Sequence, residues 1–452
     1  MGKNAVKIFC IIIFIVIAGV MLHKTRGTGS MYNGILVGGL VYYGVVPFFN
    51  EINKDEIFKS DNYYVNMGTG KYVVTYLMII VFFFFFFLSN NSSLKRRKYI
   101  NVPDEKRLYK YLKFVAYFCF IVGGASLFMF FGALGGISQA LEISEKARSF
   151  ATSLTDYMPY YASLLIIPAR LIMVAPYCFW ALSYLTERKK RRYRILTVTS
   201  FVFAVLFCLF NAGRAPLLAM VLCIVIPVML NKRIKHTWLL IMLIGVAAMP
   251  LLDVLDQLFV YWQSGEFELE ETNYFSYLSQ FSYPINNVFH AFDIGNEYGY
   301  RYGKDFITCI LDMLPGFTFE PSYEGTSEYM AGPRWRVAGG TPNDIITLAL
   351  LEFHVLGLLI LPLALGKISR FVDEFTGGCR DKRTGRVLST VITVNSFLMV
   401  GNADPVAIFR AFTLWIIPMV MVLSVTRKRS NQGTLYNEKL IRRLDNDFNE
   451  QN

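Results

Sequence analysis

Long apolar runs alternate with short polar stretches along nearly the whole chain. The runs fall at residues 6–22, 31–49, 72–88, 112–132, 160–185, 195–212, 215–230, 237–253, 344–365, 387–400 and 408–425. A run of about 17–25 residues crosses the hydrocarbon core of a bilayer as a helix, so the pattern predicts about eleven spans, two of them on the short side. Lys3 and Lys7 precede the first run as they would in a signal peptide. No small-x-small cleavage pattern follows in "AGVMLHKTRG", and a second apolar run begins at once, which predicts an anchor.

The polar stretches orient the spans. The loop 89–111 carries Lys95, Arg96, Arg97, Lys98, Lys106, Arg107 and Lys110, residues 186–194 read "TERKKRRYR", and residues 231–237 read "NKRIKHT". Lys367, Arg370, Arg380, Lys382, Arg383 and Arg386 fill the loop 366–386, and the tail 426–452 is basic again. If the spans alternate, all of these lie on one side, which the positive-inside rule makes cytoplasmic together with the C-terminus. An odd number of spans then puts the N-terminus outside, against the sign of Lys3 and Lys7. The chain reads as one polytopic domain over 1–452, with a large external segment at 254–343 and a cytoplasmic basic tail at 426–452.

Composition sharpens this picture. Hydrophobic residues make up 54% of the chain and charged residues 17%, against about 25% charge in soluble domains. The net charge of +12 would suggest a nucleic-acid partner on a soluble protein. Here it sits mainly in the cytoplasmic loops, facing anionic headgroups, and calls for no nucleic acid. Among the seven Cys, Cys10, Cys119, Cys178, Cys208 and Cys223 fall in spans, Cys379 is cytoplasmic and Cys309 is external, so no disulfide framework is expected. The four His are scattered without metal-ligand spacing, and no phosphate-binding glycine loop is present. No metal or other cofactor is expected.

The external segment is too long to be structureless. "YFSYLSQFSYPINNVFHAF" (274–292) has aromatics at short helical spacing and suits a helix lying in the interface. Residues 297–317 carry a second apolar stripe, Phe306, Ile310, Leu311 and Leu314. The Gly- and Pro-rich "AGPRWRVAGGTPND" (331–344) leads into the ninth run, with Pro342 beside Asn343 as a helix-start signal. Such a segment serves either as a surface cap or as a site where aromatic faces meet sugars and guanidinium groups meet phosphates.

Ionisable groups inside spans cost about 2.5–3.5 kcal/mol each on insertion scales and mark functional candidates. Arg170 lies mid-span, Arg214 sits in the outer turn "FNAGRAPLLAM", Glu352 and His354 fall in the ninth run, and Arg410 opens the last. The structural alternatives are an ion pair such as Glu352 with Arg170, or arginines reaching up to headgroups. Arg214, Arg334, Arg336 and Arg410, with a buried carboxylate, together suggest a site for a polyanion at the outer face.

With "NAGRAPLLAM", "YGYRYGKDFITCILDMLPGF", "GGTPNDIITLALLEFHVLG", an Arg opening the final span and basic cytoplasmic loops, the chain resembles the Wzy-type oligosaccharide repeat-unit polymerases of O-antigen and capsule synthesis. The resemblance implies a GT-C-like all-α bundle of about eleven transmembrane helices in the bacterial cytoplasmic membrane. Its external loop, carrying short interfacial helices, would cap an outward-facing active site. It also implies undecaprenyl-pyrophosphate-linked oligosaccharides as substrates, and a chain-length regulator and a flippase of the same pathway as partners. A hydroxyl of one unit would attack the anomeric carbon of the chain on another carrier. Glu352 is then the first candidate base and Asp344 the second. Arg214 and Arg410 would hold one pyrophosphate, and Arg334, Arg336 and Trp335 the other carrier, assisted by Arg301, with Arg170 and His354 as further contacts. The related O-antigen ligases use a catalytic His, for which His290 and His354 are the nearest residues. Ligase, flippase and a non-enzymatic scaffold of glycan assembly stand as the alternatives.

Overall fold

The structure is a computed structural model and describes residues 3–24, 31–52, 68–91, 102–103, 105–149, 158–186, 189–211, 214–231, 281–311, 319–332, 341–377, 382–405 and 426–427. These form α1 (Lys3–Lys24), α2 (Met31–Ile52), α3 (Thr69–Asn91), α4 (Glu105–Ala133), α5 (Ile137–Ser149), α6 (Tyr160–Leu185) and α7 (Lys190–Asn211). There follow α8 (Arg214–Asn231), α9 (Tyr283–Tyr298), α10 (Lys304–Leu311), α11 (Ser322–Ala331), α12 (Ile345–Phe353), α13 (Gly357–Gly377) and α14 (Lys382–Gly401). Val102–Pro103 makes a two-residue antiparallel pairing with Thr426–Arg427.

Among the described residues, seven segments are long and apolar enough to cross a membrane: α1, α2, α3, α4, α6, α7 and the α12–α13 stretch Ile345–Asp373. The chain is a helical membrane protein. The expected runs 215–230 and 387–400 are also helical, as α8 and α14, whereas 237–253 and 408–425 lie outside the described residues. The polar residues of α14 explain its lower apolarity: Ser389, Thr390 and Ser396 are buried inside the bundle rather than turned outward.

The bundle has two apolar cores. Ile11 and Phe14 of α1, Tyr32 and Ile35 of α2, Ile79 and Phe86 of α3, Val288 of α9 and Ile346 of α12 belong to the first. Ala116 and Phe130 of α4, Phe179 of α6, Phe210 of α7 and Met220 of α8 belong to the second. Helix α14 serves both, with Val387 and Val391 in the second core and Val400 in the first. Lipid offers no hydrophobic drive for helix association, so close backbone approach matters. A Cβ on Gly34 of α2 would lie 2.4 Å from the Thr393 carbonyl oxygen, and one on Gly38 would lie 2.8 Å from that of Phe397. This small-xxx-small pair seats α2 on α14.

Contacts between helix ends sort the bundle into the two sides that alternation requires. At one end Met31 N donates to Asp373 Oδ1 (2.7 Å), Tyr109 Oη meets Tyr193 Oη (3.3 Å), and Val102 pairs with Arg427. All six residues belong to or border the basic loops and tail. At the opposite end Lys7 pairs with Glu51 (3.7 Å), Lys71 with Asp293 (3.6 Å), and Ser144 Oγ donates to the Phe210 carbonyl (2.6 Å). The described parts of the 254–343 segment join this second end. Lys7 and Glu51 are both buried, so the N-terminal charge that runs against the expected orientation is neutralised within the fold.

Candidate functional site

The ninth run begins where its sequence announces it. Asp344 is the N-cap of α12: its Oδ1 accepts from Ile346 N (3.0 Å) and Thr347 N (3.1 Å), and its Oδ2 accepts from Thr347 Oγ1. Such a cap satisfies amides that the first helical turn leaves without partners. Tyr43 adds a 2.5 Å hydrogen bond to Oδ1 from the π-helical turn Val41–Val45 of α2. The Tyr43 carbonyl in turn accepts from Tyr76 Oη (2.8 Å). Neighbouring Asn343 is a buried tie point. Its amide donates to Ser322 Oγ (2.8 Å) and accepts from Thr326 Oγ1 (2.6 Å), while its carbonyl takes Ala403 N (2.7 Å). Asn287 Nδ2 donates to the Pro342 carbonyl (2.9 Å). Elements α2, α9, α11, α12 and the end of α14 thus meet at residues 342–344. Asp344 is committed to holding this junction.

Glu352 stands at the other end of α12, where the span breaks. His354 has φ +54° and ψ −149°, a conformation that L residues rarely adopt and that tends to cluster at functional sites. A 3-10 turn at His354–Leu356 leads into α13. A Cβ on Gly357 would lie 1.8 Å from the Ala349 carbonyl oxygen. In an unbroken helix these residues stand about 12 Å apart along the axis, so the chain doubles back tightly, and only glycine fits. The carbonyl of Leu351 accepts from Arg301 N (2.9 Å) of the external segment. Helix α12 is buried throughout to Glu352, whereas His354, Val355 and Leu356 are exposed.

Glu352 is completely buried, and neither carboxylate oxygen has a hydrogen bond of good geometry. Its nearest electrostatic neighbour is Asp305 of α10, also completely buried, whose Oδ2 accepts from Ser322 N (2.8 Å) and whose Oδ1 has no partner. The alternative ion pair of Glu352 with Arg170 is not made. Arg170 opens the 3-10 turn Arg170–Met173 in α6, beside the second core, where Gly123 of α4 abuts Ile172 N. Cys309 lies behind Asp305. Burial, then Asp404 and Asp305, push its thiol up to about 11, which leaves it inert as a nucleophile.

A second cluster faces outward on α9. His290 Nδ1 lies 3.4 Å from Asp293 Oδ2 and 3.5 Å from Tyr329 Oη, and Lys71 binds the same Asp293 oxygen. Burial lowers the His290 pKa below its ordinary value, with Asp293 opposing. The shift favours the neutral imidazole, the form a general base has to have. His354 packs its ring against Tyr300 (4.7 Å, edge-on) and Phe292 (5.4 Å).

Of the residues singled out from sequence, the fold gathers Glu352, Asp344, His354 and Arg301 around α12 and sets Arg170 apart. Arg214 is the first residue of α8. Arg334, Trp335, Arg336 and Arg410 lie outside the described residues, as does Leu314. Sequence reasoning missed Asp305, Tyr43 and Asp293, and read Asn343 only as part of a helix-start signal. Asp305 had a signal: Asp305, Thr308 and Cys309 form a polar i, i+3, i+4 stripe opposite the apolar one. Among the described residues no group of three or more His, Cys, Asp or Glu is disposed to hold a metal.

Comparisons with known protein families, with characterised proteins and with solved structures found no match for this chain.

Proposed function

We propose that this chain is a metal-independent glycosyltransferase that polymerises undecaprenyl-pyrophosphate-linked oligosaccharide repeat units into a surface polysaccharide, working at the outer face of the bacterial cytoplasmic membrane. The observation that carries the reading is Glu352. It is a buried carboxylate without a hydrogen bond of good geometry, on a broken span, facing a second carboxyl from the external segment. Discontinuous spans are where membrane proteins build polar sites. About eleven spans in a GT-C-like bundle, with the Glu352 end outward and the C-terminus cytoplasmic, belong to the same proposal.

In the reaction, an acceptor hydroxyl oxygen forms a bond to the anomeric carbon as the bond from that carbon to the pyrophosphate oxygen breaks. Glu352 takes the hydroxyl proton. Undecaprenyl pyrophosphate leaves with the electron pair and is stabilised by guanidinium groups placed beforehand. An acidic pair repels a pyrophosphate, so acceptor and leaving group occupy separate places: the hydroxyl at Glu352–Asp305, the pyrophosphate at Arg214 and Arg410. Arg334, Arg336 and Trp335 serve the other carrier. Asp344 acts by positioning α12, and is not the base.

The test is a reconstituted assay with purified lipid-linked repeat units. Glu352→Gln and Arg214→Ala are expected to shorten or abolish the product ladder, and an unchanged chain-length distribution in both would sink the assignment. Deleting the gene separates the alternatives. A single capped repeat unit marks a polymerase, cytoplasmic precursor without export marks a flippase, and polymer retained on its lipid carrier marks a ligase. The ligase reading has its own support in the His290–Asp293 pair. His290→Ala abolishing transfer while Glu352→Gln does not would favour it.

A further inference from the structure

Helix α10 is built the wrong way round for a water-facing cap. Its polar residues Asp305, Thr308 and Cys309 are buried, while Ile307 is 65% exposed, Ile310 57%, and Phe306 and Leu311 more than a third. In water the hydrophobic effect drives the opposite arrangement. Hydrocarbon solvent favours this one, because a polar face in lipid is costly and an apolar one is not.

The surroundings identify that solvent. The Phe306 ring stacks on Phe353 at the break (6.1 Å, 14° between planes), and Gly303 approaches the same Phe353 ring. The exposed stripe of α10 therefore continues into exposed Val355, Leu356, Leu359 and Ile360. Those residues belong to Ile345–Asp373, one of the membrane-length apolar segments. A surface continuous with a lipid-facing span faces the same medium.

We infer that α10 is inserted in the bilayer, its Ile307 and Ile310 face contacting the acyl chains of the leaflet at that end of the bundle. Part of the external segment is thus a membrane wall rather than a lid in water. The buried Asp305–Glu352 pair then lies about one helix diameter, roughly 10 Å, from the hydrocarbon. A ligand diffusing laterally in the leaflet meets α10 first.

The full-length protein reconstituted in liposomes tests this, using Ile307→Trp and Ile310→Trp, each read as a difference from the parent chain with its own five Trp. Both positions are exposed, so the larger ring needs no repacking. Glu297→Trp, at an exposed polar position of α9, is the water-facing control. The expected difference emission of the α10 variants is blue-shifted, loses most of its intensity in acyl-brominated phosphatidylcholine, and is insensitive to aqueous iodide, with the control behaving oppositely. Quenching by iodide and not by brominated lipid would overturn the inference. So would protection from both quenchers together with a dimer by mass photometry, since a second copy would then cover the face. None of these readouts depends on glycan transfer, so insertion and the proposed activity fail independently.

Discussion

Tyr43 and Asp344 are 301 residues apart in sequence and joined by a 2.5 Å hydrogen bond, both buried. The bond ties the π-helical turn of α2 to the cap of α12, so the start of the broken span is registered by another span.

Breaking that bond tests the junction. Asp344→Ala removes the cap and leaves the α12 amides and the Tyr43 hydroxyl without their partner. Caps alone are worth about 0.5–2 kcal/mol, and a buried hydroxyl without a partner adds about 1–3 kcal/mol. Tyr43→Phe loses only the one hydrogen bond. The expected order of thermal midpoints in detergent is wild type, Tyr43→Phe, then Asp344→Ala, with Asp344→Asn close to Tyr43→Phe.

Glu352→Gln is expected to separate stability from activity. The buried carboxylate has no hydrogen bond of good geometry to lose, and a neutral amide is easier to bury. The thermal midpoint at neutral pH should therefore stay level or rise, while turnover falls by roughly 10²–10⁴, the usual worth of a general base. A lowered midpoint with unaltered turnover would make Glu352 structural.

The Lys7–Glu51 pair gives a double-mutant cycle. Removing one partner strands a buried charge, at about 3–5 kcal/mol. Lys7→Met and Glu51→Gln should each destabilise strongly, and together much less than the sum. Additive losses measured by denaturation would mean that the pair is not coupled.

His290 supplies the pH dependence. Burial holds its folded pKa below the ordinary imidazole value, so the unfolded chain takes up the proton first as pH falls. The contribution to stability is present above the unfolded pKa and is lost as pH drops toward the folded one. Midpoints measured between about pH 8 and pH 5 should decline on the acid side, and His290→Gln should flatten that decline.

Much of the architecture was legible in the residue pattern. Most of the apolar runs reappear as helices, and the described residues that border several of the basic loops meet at one end. The break at His354 was not legible, because "LLEFHVLGLL" reads as uninterrupted apolar sequence, and a close approach of Gly357 to Ala349 exists only in three dimensions. The exposed face of α10 was not legible for a related reason: an apolar stripe marks a buried face only when water is the solvent. Lys7 looked like an orienting charge because Glu51 is remote in sequence. Glu352 was recognisable by depth alone. Its neighbour is Asp305 rather than Arg170 because the two apolar cores keep α12 and the middle of α6 apart, a partition that no local pattern encodes.

The hydrogen bond from Arg301 N to the Leu351 carbonyl carries a consequence for how the protein is made. Helix α12 has nine residues, about 13.5 Å of rise against roughly 30 Å of hydrocarbon. It cannot cross alone, and its last turn borrows a donor from residues translated earlier. Synthesis runs from residue 301 toward 351, so the donor has already emerged from the ribosome when the acceptor needs it. The order of elements along the chain thus puts the donor in place before the short helix that depends on it.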